Sequence, residues 1–216
     1  MDFLKKRLPR NDLILEAGCG TGHLVLALQS LNYNIVGVDN IPETLETAKQ
    51  FSEKLNLVCG DLAHLSMFKD KEFNTYLSIG VLEHYEDKRV VEAIINEAKR
   101  VTKDVIFISL PYLSPNLYKR YASDRLNKDL VNQYFYQYYF TKTGFTKLLH
   151  YDLSLQPFEY VYYATDVGLK RNNRYFKFFF DHFKIFRFFV KKCRRILNYL
   201  FGKKYGHMIG AWCKFE

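Results

Sequence analysis

Short apolar runs alternate with stretches of helical spacing over the first 110 residues of the chain. In the segment 87–101 the apolar residues recur three and four positions apart, which predicts an amphipathic helix. Helices are also predicted over 24–31, from Pro42 onward and from Thr141 to about His150. The predicted strands occupy residues 13–17, 34–39, 55–59, 75–80, 104–109, 154–163 and 208–214. Strands that alternate with helices favour a doubly wound, Rossmann-like α/β fold, with a parallel sheet covered on both faces.

The pattern loosens after Pro111. Residues 112–140 are rich in Tyr, Asn, Lys and Arg and have no clear period. We interpret the whole chain, residues 1–216, as one domain, with 112–150 as a substrate or lid region and 170–204 as an insertion before the last strand.

Composition excludes several classes of protein. An apolar fraction of 48% excludes a disordered chain. The four cysteines (Cys19, Cys59, Cys193 and Cys213) have no C-x-x-C spacing, which argues against a disulfide scaffold, a zinc ribbon or a redox pair, and we predict no metal ligands. The first residues lack the apolar core of a signal peptide, and no uncharged run is long enough to span a membrane, so we predict a cytoplasmic protein.

The net charge of +9 comes from one part of the sequence. Residues 1–110 hold 13 basic and 16 acidic residues, whereas 170–204 alone holds 12 basic residues and a single acid, Asp181. The basic excess therefore needs an explanation separate from that of the predicted sheet.

Residues 175–201 read as a basic amphipathic helix, with phenylalanines and aliphatic residues on one arc and Lys and Arg on the other. One interpretation is a peripheral helix on a membrane surface, which suits a lipid-linked substrate. A second is packing of the apolar arc on the domain or on a second subunit, as in a homodimer. A third is binding to RNA, but nucleic-acid surfaces interleave aromatic and basic residues on one face, so the separation into two arcs argues against it.

A glycine-rich loop follows the first strand, in the sequence LILEAGCGTGH of residues 13–23. Gly18, Gly20 and Gly22 let the chain turn tightly and let a ligand approach the backbone closely. The dinucleotide fingerprint would require a third glycine where His23 stands, and the Lys of a phosphate-binding Walker loop is absent. The loop therefore indicates a nucleotide-like ligand of another class.

Carboxylates lie at the carboxyl ends of three successive strands: Glu16, Asp39 and Asp61. The carboxyl ends of parallel strands form the edge at which open α/β sheets bind ligands, and an acid in the place of Asp39 can accept hydrogen bonds from ribose hydroxyls. This acidic edge suits a ligand with hydroxyls, an amine and a positive centre better than a polyphosphate.

With these features the chain resembles the class I S-adenosylmethionine-dependent methyltransferases, and among them the small-molecule, methyltransferase-11 or quinone-methylase type. The motifs that carry the resemblance, in chain order, are LEAGCGTG, VGVDN, CGDL, SIGVLEHYED, VIFISLPY and YFTKTGFTKLL. They cover roughly residues 12–165, and GHMIGAWCKF near the end resembles the antiparallel last strand of the family's seven-stranded sheet.

The resemblance implies S-adenosylmethionine as the cofactor. It implies a cofactor site made of Glu16, Gly18, Cys19, Gly20, Gly22, Asp39, Asn40, Asp61, Leu62 and Ile79. Asp39 would accept the ribose hydroxyls, and Asn40 or Ile41 would flank the adenine. Asp61 and the backbone N–H of Leu62 would contact the adenine, and Ile79 or Gly80 would line the methionine end.

Methyl transfer from a sulfonium is an in-line displacement with a good leaving group, so positioning matters most and a base is needed only for some acceptors. His84, in the sequence LEHYED, is the candidate base. The alternative is a structural imidazole that bonds to the adjacent loop.

The predicted function is methyl transfer to a small-molecule or lipid-linked acceptor, at an oxygen or carbon of a quinone, isoprenoid or saccharide. An RNA methyltransferase is the alternative enzyme, disfavoured because the tetrapeptides of amino-methylating enzymes are absent after the fourth strand. A non-catalytic module that recruits a partner through 170–204 is the alternative from another class.

Two segments depart from the family's pattern. The sequence at 101–104 is VTKD, where relatives have a Lys-Pro-Gly-Gly turn. Only 11 residues precede Asp12, where relatives often have a helix folded over the cofactor. We expect residues 112–140 to cover the cofactor instead.

Overall fold

The computed structural model of the chain describes residues 2–115, 138–163 and 207–215. The predicted insertion at 170–204, its helix at 175–201, and most of the predicted lid region lie outside these residues. Met1–Leu110, Thr143–Tyr160 and Gly210–Glu216 form one compact unit, which holds all the predicted site residues. The described residues 111–142 and 161–209, with their gaps, belong to a second unit. The prediction of a single domain stays a prediction.

Seven strands form one sheet in the order β3-β2-β1-β4-β5-β7-β6. The strands are β1 (Leu13–Ala17), β2 (Asn34–Asp39), β3 (Leu57–Cys59), β4 (Phe73–Ile79), β5 (Thr102–Pro111), β6 (Gln156–Tyr163) and β7 (Met208–Lys214). The helices are α1 (Asp2–Arg7), α2 (His23–Gln29), α3 (Pro42–Lys49), α4 (Lys88–Val101) and α5 (Lys142–Lys147). A 3₁₀ turn covers Leu82–His84, and a π-helical turn covers Leu148–Asp152.

Strands β1 to β5 are parallel, and the last strands, at the β5-β7-β6 end, are antiparallel. The predicted fold class is therefore confirmed, apart from the insertion that lies outside the described residues. Strand order reverses at β1, which lies between β2 and β4. The loops that leave β1 and β4 therefore diverge at their carboxyl ends, which is where sheets of this kind bind ligands.

The predicted elements match closely where the pattern is strong. The amphipathic helix α4 buries the apolar face that its spacing predicts. Asp87 caps its first turn, because the Asp87 side chain accepts the N–H of Arg89 at 2.9 Å. Strand β3 begins two residues later than predicted, at Leu57, and β4 begins two residues earlier, at Phe73.

The short segment before Asp12 forms helix α1, an element that the sequence pattern did not predict. It packs through a buried Leu4, through the Phe3 ring at 5.5 Å from that of Phe107, and through Arg7 over the Phe158 ring. Six residues are too few to display a helical period, so tertiary contacts rather than local pattern stabilise this helix. Among the described residues, no helix has both the length and the apolar character needed to cross a membrane.

Close packing between β5 and β7 joins the parallel and antiparallel parts of the sheet. A Cβ added to Gly210 would lie 2.4 Å from Cζ of Phe107. On the same strand as Gly210, the Trp212 ring lies 4.7 Å from the Phe107 ring, and both rings are fully buried. The Phe107 ring therefore occupies the space that a side chain at position 210 would need.

We expect Gly210→Ala to lower the free energy of unfolding by about 1 to 3 kcal/mol, the usual cost of an overpacked core. Urea denaturation followed by the fluorescence of Trp212, the single tryptophan, measures it. The loss should be smaller in a Phe107→Leu background, because leucine lacks the ring atoms that meet the new methyl group. Equal losses in the two backgrounds would contradict this account.

Candidate functional site

The loop between β1 and α2 depends on glycine geometry. Gly18, Gly20 and Gly22 have φ values of 72°, 51° and 68°, a left-handed backbone that other residues adopt only with strain. The N–H groups of Gly18 and Cys19 both donate to the carbonyl of Val38, at 2.8 and 2.9 Å. The loop thus folds back over the carboxyl end of β2, as the sequence predicted for a ligand-binding turn.

Asp39 holds this loop from the end of β2. Its Oδ2 accepts the N–H of Gly20 at 2.8 Å, and its Oδ1 accepts the N–H of Ile41 at 3.1 Å. The side chain is 9% exposed. Each carboxylate oxygen has two acceptor positions, so each of these oxygens still has one to offer to a donor on a ligand.

Glu16 lies next to this carboxylate with little access to water. It is 6% exposed, and its Oε2 has no hydrogen-bond partner among the described residues. Burial raises the pKa of Glu16 from 4.5 to about 8, and the charge of Asp39 adds to the shift, while a backbone hydrogen bond to Val25 opposes it. Glu16 therefore holds its proton near neutral pH in the described protein.

The turn after β3 brings a third carboxylate to the same edge. The N–H of Gly60 donates to the carbonyl of Asp39 at 3.0 Å, which joins this turn to β2. Asp61 is exposed and accepts the N–H of Ala63 at 2.9 Å, whereas Leu62 is buried. The three predicted carboxylates are thus brought together around the end of β2, two of them buried and one open to solvent.

Two neighbouring side chains can meet a ligand from the side of β2. Asn40 is exposed, as is Ile41, whose exposed fraction of 51% is high for a large apolar residue. An exposed aliphatic side chain next to the Asp39 carboxylate could pack against a flat aromatic group of a ligand.

The segment after β4 supplies the remaining predicted residues. Ile79 is half-buried, and Gly80 has a φ of 72° and donates its N–H to the carbonyl of Ser109 at 3.0 Å. Glu83 is 2% exposed, and burial raises its pKa, with the nearby His84 opposing the shift. His84 itself is exposed and has further interactions, so both the base and the structural interpretation remain open.

Two contributors were not among the predicted site residues. Val81 lies under the glycine loop, because a Cβ on Gly18 would be 2.4 Å from its Cγ2. Tyr85 is half-buried, and its pKa is raised by burial and then by the charges of Asp61 and Asp39, which places its hydroxyl within their field. The sequence signal for Tyr85 was an aromatic residue directly after His84. Aromatic residues that follow strands more often contribute to packing than to a binding site, so this signal did not identify it.

Comparison with known proteins finds matches to the central part of the chain. Residues 15–106 match the family model described as a methyltransferase domain. The chain is 28% identical over 110 residues to a ubiquinone biosynthesis O-methyltransferase of Rickettsia typhi, a match that covers 48% of this chain and 44% of that protein. It is 44% identical over 50 residues to an S-adenosylmethionine-dependent Diels-Alderase of Talaromyces variabilis, which covers 23% of this chain and 17% of that protein. The chain therefore spans less than half the length of these curated relatives.

Solved structures agree in fold. A methyltransferase from Methanosarcina mazei aligns over 100% of this chain and 97% of its own, with a TM-score of 0.66 and 17% identity. The magnesium protoporphyrin IX methyltransferase of Synechocystis, crystallised with S-adenosylhomocysteine, aligns over 99% of this chain and 78% of its own, with a TM-score of 0.58 and 15% identity. The predicted resemblance is confirmed, and the matches agree with the predicted enzyme class and cofactor.

The raised pKa of Glu16 predicts a specific dependence of stability on pH. Because the folded protein binds this proton more tightly than the unfolded chain does, the stability gained from it is complete below about pH 4.5 and is lost as the pH rises to about 8. We expect Glu16→Gln, which cannot ionise, to gain stability relative to the wild-type protein over this interval. The gain should be a few kcal/mol, since one pKa unit corresponds to about 1.4 kcal/mol.

Chemical denaturation of both proteins at a series of pH values measures this difference. A difference that stays constant from about pH 5 to about pH 8 would contradict the assignment of a buried, protonated Glu16.

Proposed function

We propose that this chain, whose residues 15–106 match the model of a methyltransferase domain, binds S-adenosylmethionine at the glycine loop and transfers its methyl group to a hydroxyl of a small or lipid-linked acceptor. The observation that carries the proposal is the hydrogen bond from the Gly20 N–H to Asp39, which fixes a loop of left-handed glycines beside a buried carboxylate. The glycines let a ligand approach the backbone of the loop closely, and the carboxylate can accept hydrogen bonds from ribose hydroxyls.

The residues present fit this cofactor. The two oxygens of Asp39 each have an acceptor position for one ribose hydroxyl, and the exposed Ile41 offers an apolar surface for the adenine. Asp61, exposed at the next turn, can accept the adenine amine. The charge of these groups suits a sulfonium ligand, because a polyphosphate would be repelled by the same carboxylates.

Bound S-adenosylmethionine supplies an electrophilic methyl group on a good leaving group. The chain then has to orient the methyl group towards the acceptor and exclude water, since positioning is the main requirement of an in-line displacement. Ile79 and Gly80, at the carboxyl end of β4, would line the methionine end, and His84 in the following turn would take the proton of an acceptor hydroxyl.

The similarity to the ubiquinone biosynthesis O-methyltransferase supports a hydroxyl on a quinone-type ring as the acceptor. A lipid-linked acceptor agrees with the sequence of 175–201, whose basic and aromatic arcs would suit a peripheral position on a membrane. Packing of the same segment in a homodimer is the alternative, and liposome co-sedimentation with and without 172–202 distinguishes the two.

Asp39→Asn should weaken binding of S-adenosylhomocysteine by about 10- to 100-fold, because hydrogen bonds to a charged group contribute about 1.5 to 3 kcal/mol. Isothermal titration calorimetry measures the affinity, and circular dichroism checks that the variant is folded. Glu46→Gln, at an exposed ion pair on α3, is the matched control and should bind like the wild-type protein. If the wild-type protein binds no S-adenosylhomocysteine, the proposed function is wrong.

His84→Gln should lower kcat by about 100-fold or more with little change in the KM for S-adenosylmethionine, if His84 removes the proton of the acceptor. The assay follows tritiated methyl transfer to an ortho-diphenol with an isoprenoid tail. Glu86→Gln, an exposed neighbour in the same segment, is the control. A kcat of His84→Gln equal to that of the control would leave His84 with a structural role.

A further inference from the structure

The turn that carries Asp61 is held at both of its ends. At its start the N–H of Gly60 donates to the carbonyl of Asp39 at 3.0 Å. At its end the N–H of Leu65 donates to Oε2 of Glu97 at 2.7 Å, and the carbonyl of Leu65 accepts from Nη2 of Arg100 at 2.9 Å. The four residues 61–64 thus lie between two anchored residues, one bonded to β2 and one bonded to the last turn of α4.

Arg100 also holds the chain beyond Leu65. Its Nη1 donates to the carbonyl of Phe68 at 3.0 Å and to Oδ1 of Asp70 at 2.7 Å, and its own carbonyl accepts the N–H of Lys71 at 2.8 Å. The bonds to backbone carbonyls matter most, because the Asp70 side chain is 77% exposed and its ion pair is weakened by solvent.

Glu97 and Arg100 orient each other for these contacts. Nε of Arg100 donates to Oε1 of Glu97 at 2.8 Å, and Nη2 donates to Oε2 at 2.8 Å, a two-pronged contact that fixes the guanidinium plane. The hydrogen bonds from Arg100 lower the pKa of Glu97, which therefore stays ionised and able to accept the Leu65 N–H. A lysine has one charged nitrogen and lacks the fork needed to serve the carboxylate and two carbonyls together.

Within the turn, short hydrogen bonds transmit this anchoring to Asp61. Its Oδ1 accepts the N–H of Ala63 at 2.9 Å, and its carbonyl accepts the N–H of His64 at 3.0 Å. Leu62 and Leu65 are both buried, so the turn has little freedom to shift without breaking one of these contacts.

We propose that Glu97 and Arg100 are positioning residues for the adenine of the cofactor, which they serve without touching it, by holding the backbone of Asp61 and Leu62 in place. This inference rests on the proposed function. It assigns to the last turn of α4 an indirect effect on cofactor affinity, through the turn that carries Asp61.

Arg100→Lys should weaken binding of S-adenosylhomocysteine about tenfold, and binding of adenosine by the same factor, because only the adenine side of the site is loosened. Calorimetry at a temperature well below unfolding measures both. Arg89→Lys is the matched control, the same substitution on the same helix at a pair with Asp87 whose arginine is 88% exposed. It should bind both ligands like the wild-type protein.

Two further measurements separate positioning from a loss of fold. Glu97→Gln keeps an oxygen for the Leu65 N–H, so it should retain more affinity than Glu97→Ala. In turnover, Arg100→Lys should raise the KM for S-adenosylmethionine about tenfold with kcat unchanged, whereas partial unfolding would lower kcat through the amount of active protein.

The outcomes distinguish this inference from the proposed function. If the wild-type protein binds S-adenosylhomocysteine and Arg100→Lys binds it equally well, the positioning role is wrong and the proposed function stands. If Arg100→Lys loses affinity for S-adenosylhomocysteine but keeps it for adenosine, the positioning role is also wrong. If the wild-type protein binds neither ligand, the proposed function fails, and the positioning role fails with it.

Discussion

The hydrogen bonds of Asp39 are the contacts on which the rest of the candidate site depends. Its side chain accepts the N–H of Gly20 from the glycine loop and of Ile41 at the start of α3, and its carbonyl accepts the N–H of Gly60 from the third turn. Three segments that leave three different strands are thereby held by one residue. Parallel strands bring these segments to the same edge of the sheet, but strand pairing alone would leave their loops free to diverge.

This arrangement places two carboxyl groups, those of Glu16 and Asp39, where water has little access. Glu16 and Asp39 are both buried near the end of β2, and two carboxylates this close cannot both be ionised without cost. Asp39 accepts two backbone N–H groups, whereas Oε2 of Glu16 has no partner among the described residues. Because burial raises its pKa to about 8, Glu16 keeps its proton near neutral pH, and a positively charged ligand at the loop would lower the cost of releasing it.

Much of the described sheet could be predicted from the sequence, because its strands and helices carry the regular spacing that burial requires. The bounds of β1 and β2 agree residue for residue with the pattern, and the glycine spacing identified the loop. The contacts of Arg100 could not be predicted, since they join α4 to carbonyls some thirty residues earlier, and a carbonyl partner leaves no signal in the sequence. The packing of Phe107 against Gly210 could not be predicted either. A glycine in a strand indicates that another group packs closely against it but does not identify that group.

Under the proposed function, the chemistry of methyl transfer gives a reason for holding the loops at the cofactor site in fixed positions. A sulfonium needs no activation, so the rate depends on the distance and angle at which the methyl group meets the acceptor. A turn that holds the adenine less firmly would weaken binding of the cofactor. Fixing the adenine turn at two points, through Asp39 and through Arg100, and fixing the glycine loop through the same Asp39, defines the position of a cofactor from both of its ends. Under this view the loop, the turn and the end of α4 form one functional unit, and substitutions in any of the three should affect cofactor affinity before they affect the chemical step.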